Sequence, residues 1–331
     1  MVLRSAARIV PAVLLAAAVT VSACAQDLLA EASAALQAGE ADHVLALLNS
    51  LPPSDAGQAE AHNLQCRVRY TLEQWNEAVN QCEQAVKLDE QNSDYHLWLG
   101  RALGEKAERA SFLKAYSIAK RVQLEFEESV RLNPRNAEGL EALGAYDVQA
   151  PGIVGGGVDK AQEVAEQLDK VDQARAHELR GRIAEEHQDY GTAEREYKLA
   201  VAAGAHPAFQ WTSLAGFYSR RQRWTEMESA VHSVVTAARR DKHASSALYV
   251  GAGLLTESNH DPALAAKMLE DYLAGSAKSE IAPAFVAHDR LASIEDQLGD
   301  PASAKRERAA ALALAREYKP VQGAGSQETR N

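Results

Sequence analysis

Three sets of residues in this sequence have types and spacings that could do chemistry. The first is "APGIVGGGVDKA", Ala150 to Ala161, where Gly155, Gly156 and Gly157 come shortly before Lys160. A phosphate loop of this kind needs a buried strand before it and a Gly-Lys-Ser/Thr ending. Neither is present: Gly157 is followed by Val158, and Asp159 places a carboxylate where an anion would approach. Asp159 instead reads as a helix cap, Pro151 as the end of the preceding helix, and Ile153 and Val154 as apolar filling of a wide turn. The second set is the histidines, ten in all, of which His62, His96, His177 and His288 recur at similar points of a repeating pattern. Metal ligation needs side chains that converge on one ion, and residues about a repeat apart do not converge. No metal site is expected. The third set is Cys66 and Cys82, sixteen residues apart, which could form a disulfide or serve as two small core residues. The chain contains no Gly-x-Ser-x-Gly, no His-Glu-x-x-His and no Cys-x-x-Cys, so neither an enzyme activity nor a cofactor is expected.

The composition points to helices. Only 6% of residues are aromatic, Gly and Pro together number 30, and helix-favouring residues dominate. An all-α fold follows. The first residues carry Arg4 and Arg8, then an apolar run from Ile9 to about Val21, which reads as an export signal over residues 1–25. Two processing routes fit: "VSAC" ending at Cys24 resembles a lipoprotein box, and "ACA" before Gln26 fits ordinary cleavage. The first tethers the chain to a membrane through a lipidated Cys24; the second releases it into the periplasm. Without residues 1–25 the balance is 33 basic to 46 acidic residues, −13, which argues against nucleic acid. No second long apolar run follows.

The sequence repeats. "AHNLQCRVRYTLEQWNEAVNQCEQAVKLD" from Ala61, "AHELRGRIAEEHQDYGTAEREYKLAVAAG" from Ala176 and "AHDRLASIEDQLGDPASAKRERAAALALA" from Ala287 align without gaps. Each reads as two helices around a polar turn, with small residues at Cys66 and Ala78, Gly181 and Ala193, Ala292 and Ala304. Antiparallel helices approach closely only where the crossing residues are small. A fourth copy, "QWTSLAGFYSRRQRW", has Trp211, Leu214, Ala215 and Tyr218 at corresponding points.

These residues resemble the tetratricopeptide repeat, of the bacterial exported or lipoprotein type. The resemblance implies a right-handed α-solenoid of about eight stacked hairpins over residues 26–318, with a concave inner surface. The recurring small residue falls on Cys66, Gly100, Gly144, Gly181, Ala215, Gly251 and Ala292, at spacings of 34, 44, 37, 34, 36 and 41 residues. The uneven spacings place insertions near residues 105–115 and 150–157. The first continues in helical periodicity through Phe112, Ala115, Ile118, Ala119, Val122, Phe126 and Val130, which predicts a long projecting helix. Residues 319–331 lack apolar periodicity and read as a disordered tail.

The resemblance also implies that a partner protein or peptide lies in the groove. Its lining positions map to Glu60, Asn63, Arg67, Tyr70 and Thr71, then Asp94, Leu97, Arg101, Gly104 and Glu105, then Arg175, Glu178, Arg182, Glu185 and Glu186. Arg67 and Arg101 either clamp a partner carboxylate or pair with groove acids such as Glu105. Gly155–Gly157 would either form a wide turn or overhang one mouth of the superhelix and shape access. A periplasmic small-ligand or glycan-binding protein using Trp98, Tyr218 and Trp224 is the alternative.

Overall fold

Helix starts are marked by short polar side chains. Asn136, Asp172, Asp189, Asp261 and Asp300 each accept a hydrogen bond from the backbone N–H three residues on, and Pro207, Pro262 and Pro301 open helices where an N–H would lack a partner. The computed structural model describes residues 25–51 and 55–319. The segment read as an export signal with Cys24, and the tail beyond Lys319, lie outside them.

The helices are α1 over residues 25–38, α2 Ala41–Asn49, α3 Asp55–Thr71, α4 Trp75–Leu88, α5 Ser93–Glu108, α6 Phe112–Leu132, α7 Ala137–Gln149, α8 Val158–Leu168, α9 Gln173–Glu186, α10 Tyr190–Ala203, α11 Pro207–Arg220, α12 Trp224–Arg240, α13 Ser246–Glu257, α14 Pro262–Ala274, α15 Ala284–Leu298 and α16 Pro301–Leu314. They pair in order into eight hairpins of an all-α solenoid.

Six hairpins turn in the same way. Gly39, Glu73, Gln188, Gln222, Asn259 and Gly299 take left-handed backbone angles between the two helices. In each turn the next N–H, from Glu40, Gln74, Asp189, Arg223, His260 or Asp300, reaches back to a carbonyl five residues earlier. This closure satisfies the last carbonyls of the first helix. A non-glycine residue is strained there, so the shared turn is imposed by hairpin packing rather than by local preference. The two hairpins without it are those with insertions, α5–α6 and α7–α8.

Packing explains the small residues. A Cβ on Gly100 would lie 2.4 Å from Cε1 of Phe126, and one on Gly144 would lie 2.4 Å from Cδ2 of Leu179. Glycine there lets helices approach until a neighbouring side chain rests on the backbone. Two apolar clusters run along the stack, one from Cys66 to Ile183 and one from Ala184 to Ile294. Between α3 and α4 the sulfurs of Cys66 and Cys82 are bonded, with Cα atoms 5.1 Å apart.

A third cluster joins the ends of the chain. Leu36 of α1, Val44 of α2, Leu64 and Val68 of α3 and Leu72 just after it pack with Phe285 of α15, Ala311 of α16 and Tyr318. The ring of Tyr318 lies edge-on to Phe285, centroids 5.0 Å apart. Arg69 donates to Glu317 at 2.7 Å, and Arg316 Nε donates to Asp42 at 2.8 Å. The solenoid therefore closes on itself, whereas the repeat pattern predicts only stacked hairpins around a groove.

Helix α6 is 21 residues long, and its register differs from the periodic expectation at the start. Val122 and Phe126 are buried, but Phe112 is 81% exposed, so the first turn extends beyond the stack instead of continuing its core face.

Candidate functional site

Closure turns the groove into a central cavity of about 750 Å³. First helices of six hairpins line it: Gln37 from α1, Arg101 from α5, Glu138 and Glu141 from α7, Arg175, Glu178 and Arg182 from α9, Gln210 and Ser213 from α11, and Ser246 from α13. The remaining wall is His243 and Ser245, just before α13, and Ala277 to Ile281, part of the connection between α14 and α15.

That connection is held firmly. Lys278 Nζ donates to the carbonyls of Tyr272 and Leu273 at 3.0 and 2.9 Å, closing the end of α14 where carbonyls lack helical partners. Tyr272 donates its hydroxyl to the Ala282 carbonyl at 2.6 Å and accepts from the Ser279 N–H at 3.1 Å. The resulting turn presents Glu280 to Arg67, which donates from Nε and Nη2 to its two carboxylate oxygens at 3.0 and 2.8 Å. Both side chains are mostly buried. Bidentate geometry of this kind is the strong form of carboxylate recognition.

Of the fifteen groove positions, Arg101, Arg175, Glu178 and Arg182 line the cavity. Arg101 donates to Glu138 at 2.9 Å and stacks over Trp98, centroid distance 4.8 Å. Glu178 accepts from the Ser213 hydroxyl at 2.5 Å, and burial pushes its carboxyl above the usual range. Arg182 has no hydrogen bond or ion pair among the described residues. Gln210, also in the lining, is 8% exposed, and its unpartnered Oε1 lies against Gly204 at the α10–α11 turn.

Leu97, Asn63, Tyr70 and Arg67 lie outside the cavity lining. Leu97 is 2% exposed within the apolar cluster of the first hairpins, because its helix turns that position onto its neighbour. Asn63 is 3% exposed, with Oδ1 unpartnered, and is not part of the cavity wall. Tyr70 is packed edge-on against Trp75 and Trp98 and donates to Glu105 at 3.3 Å. Arg67 is taken by Glu280, not by Glu105 or a partner, and also lies over Trp98.

The glycine loop faces elsewhere. Gly155 O accepts from Gln123 of α6 at 3.1 Å and from Lys160 at 2.7 Å, Val154 O accepts from the Tyr146 hydroxyl at 2.8 Å, and none of Gly155–Gly157 lines the cavity. Gly155 takes φ +101°, and a Cβ on Gly156 would lie 2.0 Å from the Ala150 carbonyl oxygen. Asp159 does not cap α8: Gly157 holds the cap position and no side chain bonds there. Val154 is buried as filling, whereas Ile153 is 67% exposed. Beneath the loop is Asp147, 2% exposed with Oδ1 unpartnered, whose carboxyl burial raises to about 6 against the opposing pull of Lys160.

The recurring histidines are clasps. His62 bonds Gln81 at 2.6 Å, His96 bonds Glu125 at 2.7 Å, His177 bonds Glu196 at 2.7 Å and His288 bonds Glu307 at 2.6 Å, each tying the first helix of a hairpin to the second. Among the described residues no cluster of His, Cys, Asp and Glu could hold a metal, and no helix is long and apolar enough to cross a membrane. The aromatic residues of the glycan alternative do not converge: Trp98 packs in the first core cluster, Tyr218 in the second, and Trp224 stacks on His260, centroids 4.8 Å apart. The sequence reading missed the Ala277–Ile281 wall and Gln210. The 41-residue spacing from Gly251 to Ala292 was the available signal for the wall.

No protein-family model matches the chain, and no curated protein does. Among solved structures it is similar to a thermophilic tetratricopeptide repeat protein of Thermus thermophilus, at 18% identity and TM-score 0.47, covering 58% of this chain and 98% of that one. A tetratricopeptide repeat protein of Parabacteroides merdae is similar over 82% of this chain and 98% of its own, at 11% identity and TM-score 0.46. The MamA protein is similar at 12% identity and TM-score 0.36, over 56% of this chain and 95% of its own. The repeat architecture itself rests on this chain's eight hairpins, their shared turns and their recurring clasps.

Proposed function

We propose that the chain is a non-catalytic adaptor of the bacterial cell envelope that holds a short segment of another protein in its central cavity. The observation that carries this reading is Arg182, a guanidinium in the cavity wall with no hydrogen bond or ion pair among the described residues, on which Glu178 acts only through space. An acidic peptide supplies a carboxylate for the guanidinium. The clasp between Arg67 and Glu280 is the same chemistry carried out within the chain. Export, with or without a lipid on Cys24, rests on the N-terminal sequence.

The test is binding of a panel of labelled acidic peptides to the full chain and to Arg182→Ala. The account expects saturable binding that Arg182→Ala weakens about tenfold, the value of one charge-assisted contact. Unchanged binding in that variant would remove the cavity from recognition. A cavity of this volume also fits a small molecule. Peptides that fail where a metabolite or glycan raises the melting temperature would favour that alternative.

A further inference from the structure

The start of α6 has a surface that nothing in the hairpin stack explains. Phe112 and Leu113 are 81% and 82% exposed, and Tyr116 lies one turn on along the same side. Helical spacing puts these three side chains together as one apolar knob at the projecting end of the α5–α6 hairpin. A large exposed apolar group at a protrusion marks a surface that something covers.

Charge identifies what. Residues 104–121 contain Lys106, Arg109, Lys114, Lys120 and Arg121 against only Glu105 and Glu108, in a chain whose net charge is −11. Arg109 and Arg121 are engaged with Glu105 and Glu83. Lys106, Lys114 and Lys120 have no carboxylate partner among the described residues, and Lys120 lies over the Tyr116 ring at 4.8 Å. An apolar knob with Lys114 and Lys120 on the same helix is the pattern of an interfacial membrane anchor: rings and aliphatic groups enter the headgroup boundary while ammonium groups meet anionic lipid.

We propose that the Phe112–Leu113–Tyr116 knob docks on an anionic lipid bilayer. The inference is independent of what enters the cavity.

The test uses the full chain carrying Phe112→Trp, with phosphatidylcholine vesicles prepared with and without phosphatidylglycerol, and with brominated lipid as a depth-sensitive quencher. The native tryptophans give a constant background that the parent chain subtracts. The expected result is a blue-shifted, quenchable emission that requires phosphatidylglycerol and fades with salt. Adding Lys114→Glu and Lys120→Glu weakens it at least about tenfold, since each lysine near the surface contributes on the order of 1 kcal/mol. Circular dichroism confirms that these exposed substitutions leave the helices intact. Absence of a shift overturns the proposal, as does a shift unaffected by charge reversal. Concentration-dependent dimerisation without lipid, abolished by Phe112→Ser and Leu113→Ser, would also overturn it by naming a second copy as the occupant.

Discussion

At the scale of single residues, the side chains that matter most are those whose polar atoms the fold leaves unpaired or ties across helices. Asp147 is the clearest case. Its carboxyl is raised from 3.8 to about 6 because burial disfavours the charge, so its contribution to stability is full below about pH 4 and is lost as pH rises through 6. Asp147→Asn is therefore expected to raise stability on the order of 2 kcal/mol at about pH 7.5, with the gain vanishing near pH 4. Thermal melts across that range check it; an equal effect at both ends would contradict the assignment. The histidine clasps were half legible, since recurrence told against a metal, and the acids nineteen residues on from His177 and His288 stand in the sequence. Asp147 was not legible, because it becomes buried only when the 151–157 loop folds across it. Arg67 was legible as a carboxylate binder, but its partner lies 213 residues away, beyond any local pattern.

Hairpins were legible to a greater depth, because periodicity and small residues act within about thirty residues. The repeat predicted close crossings at Gly100 and Gly251, and the structure distinguishes them. A Cβ on Gly100 meets the rigid ring of Phe126, whereas one on Gly251 meets the terminal methyl of Met268 at 2.6 Å. Methionine re-packs where a phenyl ring cannot. Gly100→Ala is expected to destabilise by about 2 kcal/mol and Gly251→Ala by less than about 1, by chemical denaturation, through overpacking in the first case. Equal losses would mean that the two crossings are not the rigid and yielding pair described. What the repeat did not reveal is what its irregular copies do. The 44-residue spacing signalled a long α6 but not that its first turn leaves the core, and the 41-residue spacing did not show that the extra residues turn inward toward Arg67.

For the whole molecule, the decisive feature is closure. Each hairpin adds a small rotation, and whether eight of them bring the ends together depends on a sum that no single repeat displays. The seam rests on Phe285 and Tyr318 against α1 to α3, with Arg69, Asp42 and their partners at its rim. Phe285→Ala with Tyr318→Ala removes about 3 kcal/mol or more of packing there and is expected to open the ring, increasing the radius of gyration in solution scattering while helicity is retained. An unchanged radius would show that the seam does not hold the ring. On the proposed reading, closure makes the cavity the place where a partner enters. The most direct measurement is therefore site-specific photocrosslinking in the producing cell, with the probe replacing Ser213 inside the cavity and, as a control, Glu166 on an exposed face. The account predicts a polypeptide adduct from position 213 that is diminished by Arg182→Ala and absent from position 166. Adducts from both positions alike, or none from 213, would contradict it.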